Sequence, residues 1–198
     1  MEILFSIIVT VIFILAYLPQ IKLLKDYEKL GKTPTGVSLS FWVSLTTALF
    51  ITLINFIVTD SSLLVIVPQS INTLIAFYVL GSVMNAKIEN LNLLHFTIIV
   101  LTGALVIVLA FYLTDFVQII ASSLIIYAYL SQIFSIAVKR NVDGLSIKLF
   151  FFIALALSLM IANIVLTGSY SIAIYTETFN LLLILIIIVL IPVYRESK

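Results

Sequence analysis

The sequence predicts an all-α membrane protein: seven transmembrane helices arranged as two parallel three-helix bundles joined by a linker helix. Composition is the first reason. Of 198 residues 63% are hydrophobic and 10% charged, with mean hydropathy +1.31, whereas a water-soluble chain carries about a quarter charged residues. The second is a series of apolar runs of roughly 20 residues, the length that crosses a bilayer core as a helix. The third is internal repetition. Ala16-Tyr17-Leu18-Pro19-Gln20-Ile21 returns 112 positions later as Ala128-Tyr129-Leu130-Ser131-Gln132-Ile133.

The runs span about 3–24, 38–58, 62–83, 92–113, 116–137, 146–167 and 170–193. They lack the strict alternation of a membrane barrel strand, and backbone groups in lipid must be satisfied within the chain, so they read as helices. Run 1 has no basic start and no small-residue cleavage site, and is expected to be a retained helix and not a leader. The longer connections are 25–37, 84–91 and 138–145.

After each copy of the Gln-Ile motif comes a basic connection and then a second match, Gly36-Val37-Ser38 against Gly144-Leu145-Ser146, now at an offset of 108. The first connection is therefore four residues longer. The 108 offset also pairs Asn55 with Asn163 and Asn72 with Asn180. Runs 1–3 and 5–7 are thus the repeat, dividing the chain into a first bundle (1–83), a linker (84–115) and a second bundle (116–198). Three is odd, so direct fusion would invert the second copy. One extra helix, run 4, restores a parallel arrangement about an axis along the membrane normal. The chain's one histidine, His95, lies near the basic-loop end of run 4 and reads as an interfacial or packing group more readily than as a proton relay.

All ten Lys and Arg residues fall on connections 1–2, 3–4 and 5–6, at their edges, or at the C-terminus. The other side carries only Glu2, Asp60 and Asp115. The positive-inside rule then puts the C-terminus in the cytoplasm and the N-terminus outside. A plasma membrane suits the chain better than an organelle. With membrane-flanking basic residues and a net charge of +1, nothing points to nucleic acid. The lack of cysteine excludes disulfides, thiolate metal sites and a cysteine nucleophile.

The motif Tyr-Leu-Pro-Gln-Ile, a basic loop and then Gly-x-Ser resembles the PQ-loop superfamily. The three-plus-one-plus-three layout is most similar to its SWEET-type sugar transporters. Other members are the lysosomal cystine and cationic amino-acid transporters, with the KDEL receptors more distant. The resemblance covers nearly the whole chain and implies alternating access to a central solute site. The solute would be a mono- or disaccharide, with an amino acid as the alternative. It also implies no cofactor, no enzymatic activity and a bilayer setting, and leaves a homo-oligomer open.

Proline removes a backbone donor and weakens a helix. The resemblance makes Pro19 a hinge of the inner gate, with Gln20 offering its amide to the loosened backbone. Ser131 replaces the proline beside Gln132, so hinging is expected mainly in the first half. Gln69 and Asn72 stand three apart in run 3, as Glu177 and Asn180 do in run 7, so each pair shares a helix face about 4.5 Å apart in height. Asn72 is expected about 15 Å into the membrane. These four are the candidate solute-binding residues, with Asn55, Asn163 and Phe56 beside them. Interhelical hydrogen bonding is the plain alternative for the asparagines.

Glu177 is the one acid well inside an apolar run. A central charge costs about 2.5–3.5 kcal/mol, so it must face the bundle interior or be protonated, which makes it a candidate for proton coupling or for holding an amine. Trp42 reads as an interfacial anchor. A KDEL-type receptor would need basic residues on the outer side, and a retinal protein a lysine in run 7; neither is present. No metal-ligand cluster, nucleophile–base pair or phosphate loop suggests an enzyme.

Overall fold

The computed structural model describes residues 2–88, 108, 112–166 and 172–196. Among these every regular element is a helix: α1 (Glu2–Lys29), α2 (Leu39–Val58), α3 (Leu63–Lys87), α4 (Thr114–Lys139), α5 (Ile147–Leu166) and α6 (Ile172–Glu196). Run 4, with His95, lies outside the described residues except at isolated positions. Five of the described helices are long and apolar enough to cross a membrane, and α5 contributes a shorter apolar stretch over Ile147–Ala162. The chain is an integral membrane protein by this measure.

Helix starts follow local chemistry. The Ser38 side chain accepts from the Phe41 amide at 3.2 Å and caps α2. Ser62 does the same for α3 through the Leu64 amide, also at 3.2 Å. Each cap satisfies an amide that has no partner within the helix. Two helices run further than their apolar runs. α1 continues five residues past position 24 to Lys29, and α3 four residues past 83 to Lys87. Hydropathy falls where the bilayer core ends, but a helix stops only where its carbonyls are capped. For α1 that occurs at Gly31, with φ +61°, where the Gly31 and Lys32 amides bond back to Glu28 and Tyr27.

The six described helices close into a ring. α3 packs between α1 and α2, and α6 between α4 and α5; α2 then meets α4, and α1 meets α5. Exchanging α1, α2, α3 with α4, α5, α6 maps this set of neighbours onto itself. The core repeats in the same way. Ala16 and Ala128, Val37 and Leu145, Trp42 and Phe150, and Val79 and Ile187 are all fully buried. The outer faces carry bare apolar side chains such as Leu74, Ile119, Phe134 and Val189, as a lipid-facing surface requires.

Trp42 departs from expectation. It is fully buried against Phe41 (centroids 5.1 Å) and Tyr17 (6.2 Å), and is not an interfacial anchor. Phe150, at the matched position of the second half, is buried too, so packing into the interior wins over the interfacial preference of tryptophan.

Candidate functional site: an inter-half clasp and a buried polar centre

The repeated motifs meet each other across the ring. Gln20, on α1, donates from Nε2 to the Gly144 carbonyl at 2.7 Å and accepts from the Ser146 amide at 2.9 Å. Gln132, on α4, donates from Nε2 to the Gly36 carbonyl and accepts from the Ser38 amide, both at 3.0 Å. Each glutamine thus grips the Gly-x-Ser turn of the opposite half with both ends of its amide. Both are fully buried. This corrects the sequence expectation for Gln20, whose amide does not turn back on α1 beside Pro19.

The turns themselves need glycine. Gly144 has φ +84°, and a Cβ there would strike Pro34. A Cβ on Gly36 would sit 2.5 Å from the Asp143 amide nitrogen and the Val142 carbonyl carbon. The Gly36 amide donates to the Asp143 carbonyl at 2.9 Å, and the Asn141 side chain donates to Thr35 at 2.8 Å. Arg195, near the end of α6, donates to the Leu145 carbonyl at 3.1 Å. The basic-residue end of the ring is therefore shut by a dense polar seam.

Deeper in the ring lies a second polar group. Asn72, about 13 Å from the start of α3 by helical rise, accepts from the Tyr17 hydroxyl at 2.8 Å. Asn180 on α6 donates to Glu177 at 3.4 Å, while its own carbonyl oxygen is buried without a partner. Asn72 and Asn180 are 4% and 2% exposed, so neither faces lipid. Tyr129, the repeat partner of Tyr17, is buried. Its ring stacks obliquely on Phe41 at 5.8 Å. The indole nitrogen of Trp42 is a second buried polar atom without a partner. Unsatisfied buried groups are costly; Asn55 Oδ1 and Ser135 Oγ are two more among the described residues.

The remaining candidates divide. Asn55, at the end of the ring away from the clasp, donates to Gln118 on α4 at 3.1 Å and links the halves there. Gln69 turns to the Leu49 carbonyl on α2 at 2.9 Å, so it braces its own half and is not equivalent to Glu177. Phe56 is half-buried. The side chain of Asn163 lies outside the described residues. Pro19 sits within an unbroken α1, and Ser131 bonds to the Ala128 carbonyl at 2.9 Å. Sequence reasoning gave no role to Tyr17, Tyr129 or Gln118. The first two were visible as matched tyrosines in the repeated motif.

Neither the groove beside Pro19 and Phe151 nor the one between α1 and α3 is lined by Asn72, Asn180 or Glu177. Among the described residues no cluster of His, Cys, Asp and Glu could hold a metal ion. No protein-family model matches the chain, and neither does any curated protein or solved structure.

Proposed function

We propose that the chain is a membrane transporter for a small polar solute, working by alternating access between two pseudo-symmetric halves. In this reading the full membrane unit has seven helices, with run 4 joining two parallel three-helix bundles, the N-terminus outside and the clasp on the cytoplasmic side. The observation that carries it is the position of the unpaired Asn180 carbonyl and Trp42 indole nitrogen. Both are buried, the indole packed against Tyr17 and the carbonyl on the residue that donates to Glu177. A solute between the halves would offer hydrogen-bond partners to both groups. Breaking the clasp opens the inner end, and Pro19 lets α1 bend as it does so.

The resemblance to SWEET-type proteins favours a saccharide, for which the aromatic walls and neutral amides are suited. The Glu177–Asn180 pair supports a second reading, an amino acid whose ammonium approaches Glu177 or whose transport carries a proton through it. A thermal-shift screen with saccharides and amino acids separates the two. Stabilisation by one class, lost in Asn72→Ala and Asn180→Ala, supports transport of that class. No stabilisation by either argues against this site.

A further inference from the structure

A groove of about 600 Å³ lies between α1 and α3 at the basic end, and we propose that it binds one anionic phospholipid. The phosphate would rest between Lys25 and Lys32, and an acyl chain against Leu24, Phe77 and Tyr78. The site is independent of the solute path. Phe77 and Tyr78 are exposed, whereas Asn72, Ala76, Val79 and Val83 of the same helix are buried toward the ring.

Depth favours a lipid. Phe77 stands about 21 Å along α3 from Leu63 and Asn85 about 33 Å, so the groove spans the boundary where a roughly 30 Å hydrocarbon core meets the headgroups. Its floor is apolar and its rim cationic. The Lys25 ammonium lies 5.9 Å above the Tyr78 ring, which holds it at this boundary. Glu28 is on the same rim, so the groove carries one net positive charge. That charge favours an anionic headgroup over a zwitterionic one.

The groove belongs to the first half alone. Its rim includes Gly31, Lys32 and Thr33 of the connection that is four residues longer than its counterpart, and the positive-φ turn at Gly31 leads the chain to Lys32. At the matched second-half positions Lys25 becomes Ala137, Tyr78 becomes Ile186 and Gly81 becomes Val189. Gly81 leaves the middle of the groove open, with nothing within 4 Å of where a Cβ would be.

Native mass spectrometry of the full chain in detergent, with phosphatidylglycerol or phosphatidylcholine added, tests this. One phosphatidylglycerol should be retained in preference to phosphatidylcholine. Lys25→Ala with Lys32→Ala should weaken retention about thirtyfold, from roughly fivefold per lysine near an anionic surface. Gly81→Leu fills the groove without changing charge and should also abolish retention, while Lys139→Ala should not. Equal retention of the two lipids overturns the proposal, as does undiminished retention by a folded Gly81→Leu protein. If that variant does not fold, the lysine pair decides: unchanged retention in it refutes the site.

Discussion

Gln20 and Gln132, repeat partners 112 residues apart, make the same two hydrogen bonds in exchange, each to the Gly-x-Ser turn that follows the other's helix. The two halves are therefore joined at the basic end by four bonds to main-chain atoms. Such bonds keep their geometry whatever side chains surround them. They are local enough to be broken together in the rocking motion proposed above.

The clasp should control access from the basic end. The chain has no cysteine, so Val37→Cys gives a single reporter at a fully buried position within one turn. Gln132→Ala removes both of the side-chain bonds to that turn and strands a carbonyl and an amide, each costing about 1–3 kcal/mol. Maleimide labelling of Val37→Cys should be at least about tenfold faster in this background. Equal labelling rates would show that the clasp does not hold the end closed.

Glycine substitutions should separate the seam from the periphery. Gly36→Ala forces a Cβ against main-chain atoms of the facing turn, and overpacking of this kind costs about 1–3 kcal/mol or more. Gly81→Ala meets open space in a helix interior and should stabilise by up to about 1 kcal/mol. Melting temperatures in detergent should therefore move in opposite directions. A Gly36→Ala protein as stable as wild type would contradict the close approach of the two turns.

The matched asparagines should differ in stability but agree in function. Asn72→Ala leaves the buried Tyr17 hydroxyl without its acceptor and should cost about 1–3 kcal/mol. Asn180→Ala removes a carbonyl that already lacks a partner and should cost less. Uptake should be lost in both. Retained uptake in either would reduce that residue to interhelical packing.

Replacing Glu177 tests the proton. Glu177→Gln keeps a hydrogen-bonding partner for Asn180 and removes the titrating group. On the second reading wild-type uptake should change with pH, and the variant's should be flat and occur on an intact fold. A pH dependence carried unchanged into the variant would remove Glu177 as proton carrier.

The spans were legible because membrane helices are apolar along their length: the six described helices begin within about two residues of their runs. Their ends on the basic side were less so, since hydropathy says nothing of where α1 finds its cap at Gly31. The repeat exposed Gln20, Gln132 and the Gly-x-Ser turns as matched pairs. It could not show that each motif binds the other half's copy, because that contact joins residues about a hundred positions apart with no local signal. Trp42 was misplaced for a related reason. Its position near a run's start suggested the interface, while its burial depends on Tyr17 of a different helix packing against it. The repeat offset pairs Asn72 with Asn180, but it could not show the Tyr17 hydroxyl that distinguishes them.

Counterflow in proteoliposomes tests the central claim most directly, with labelled hexoses, disaccharides, and neutral and cationic amino acids as a panel. The account predicts exchange of one of these solute classes, abolished by Asn72→Ala and Asn180→Ala. Absence of exchange for every class, in vesicles holding folded protein, would contradict transport by this chain.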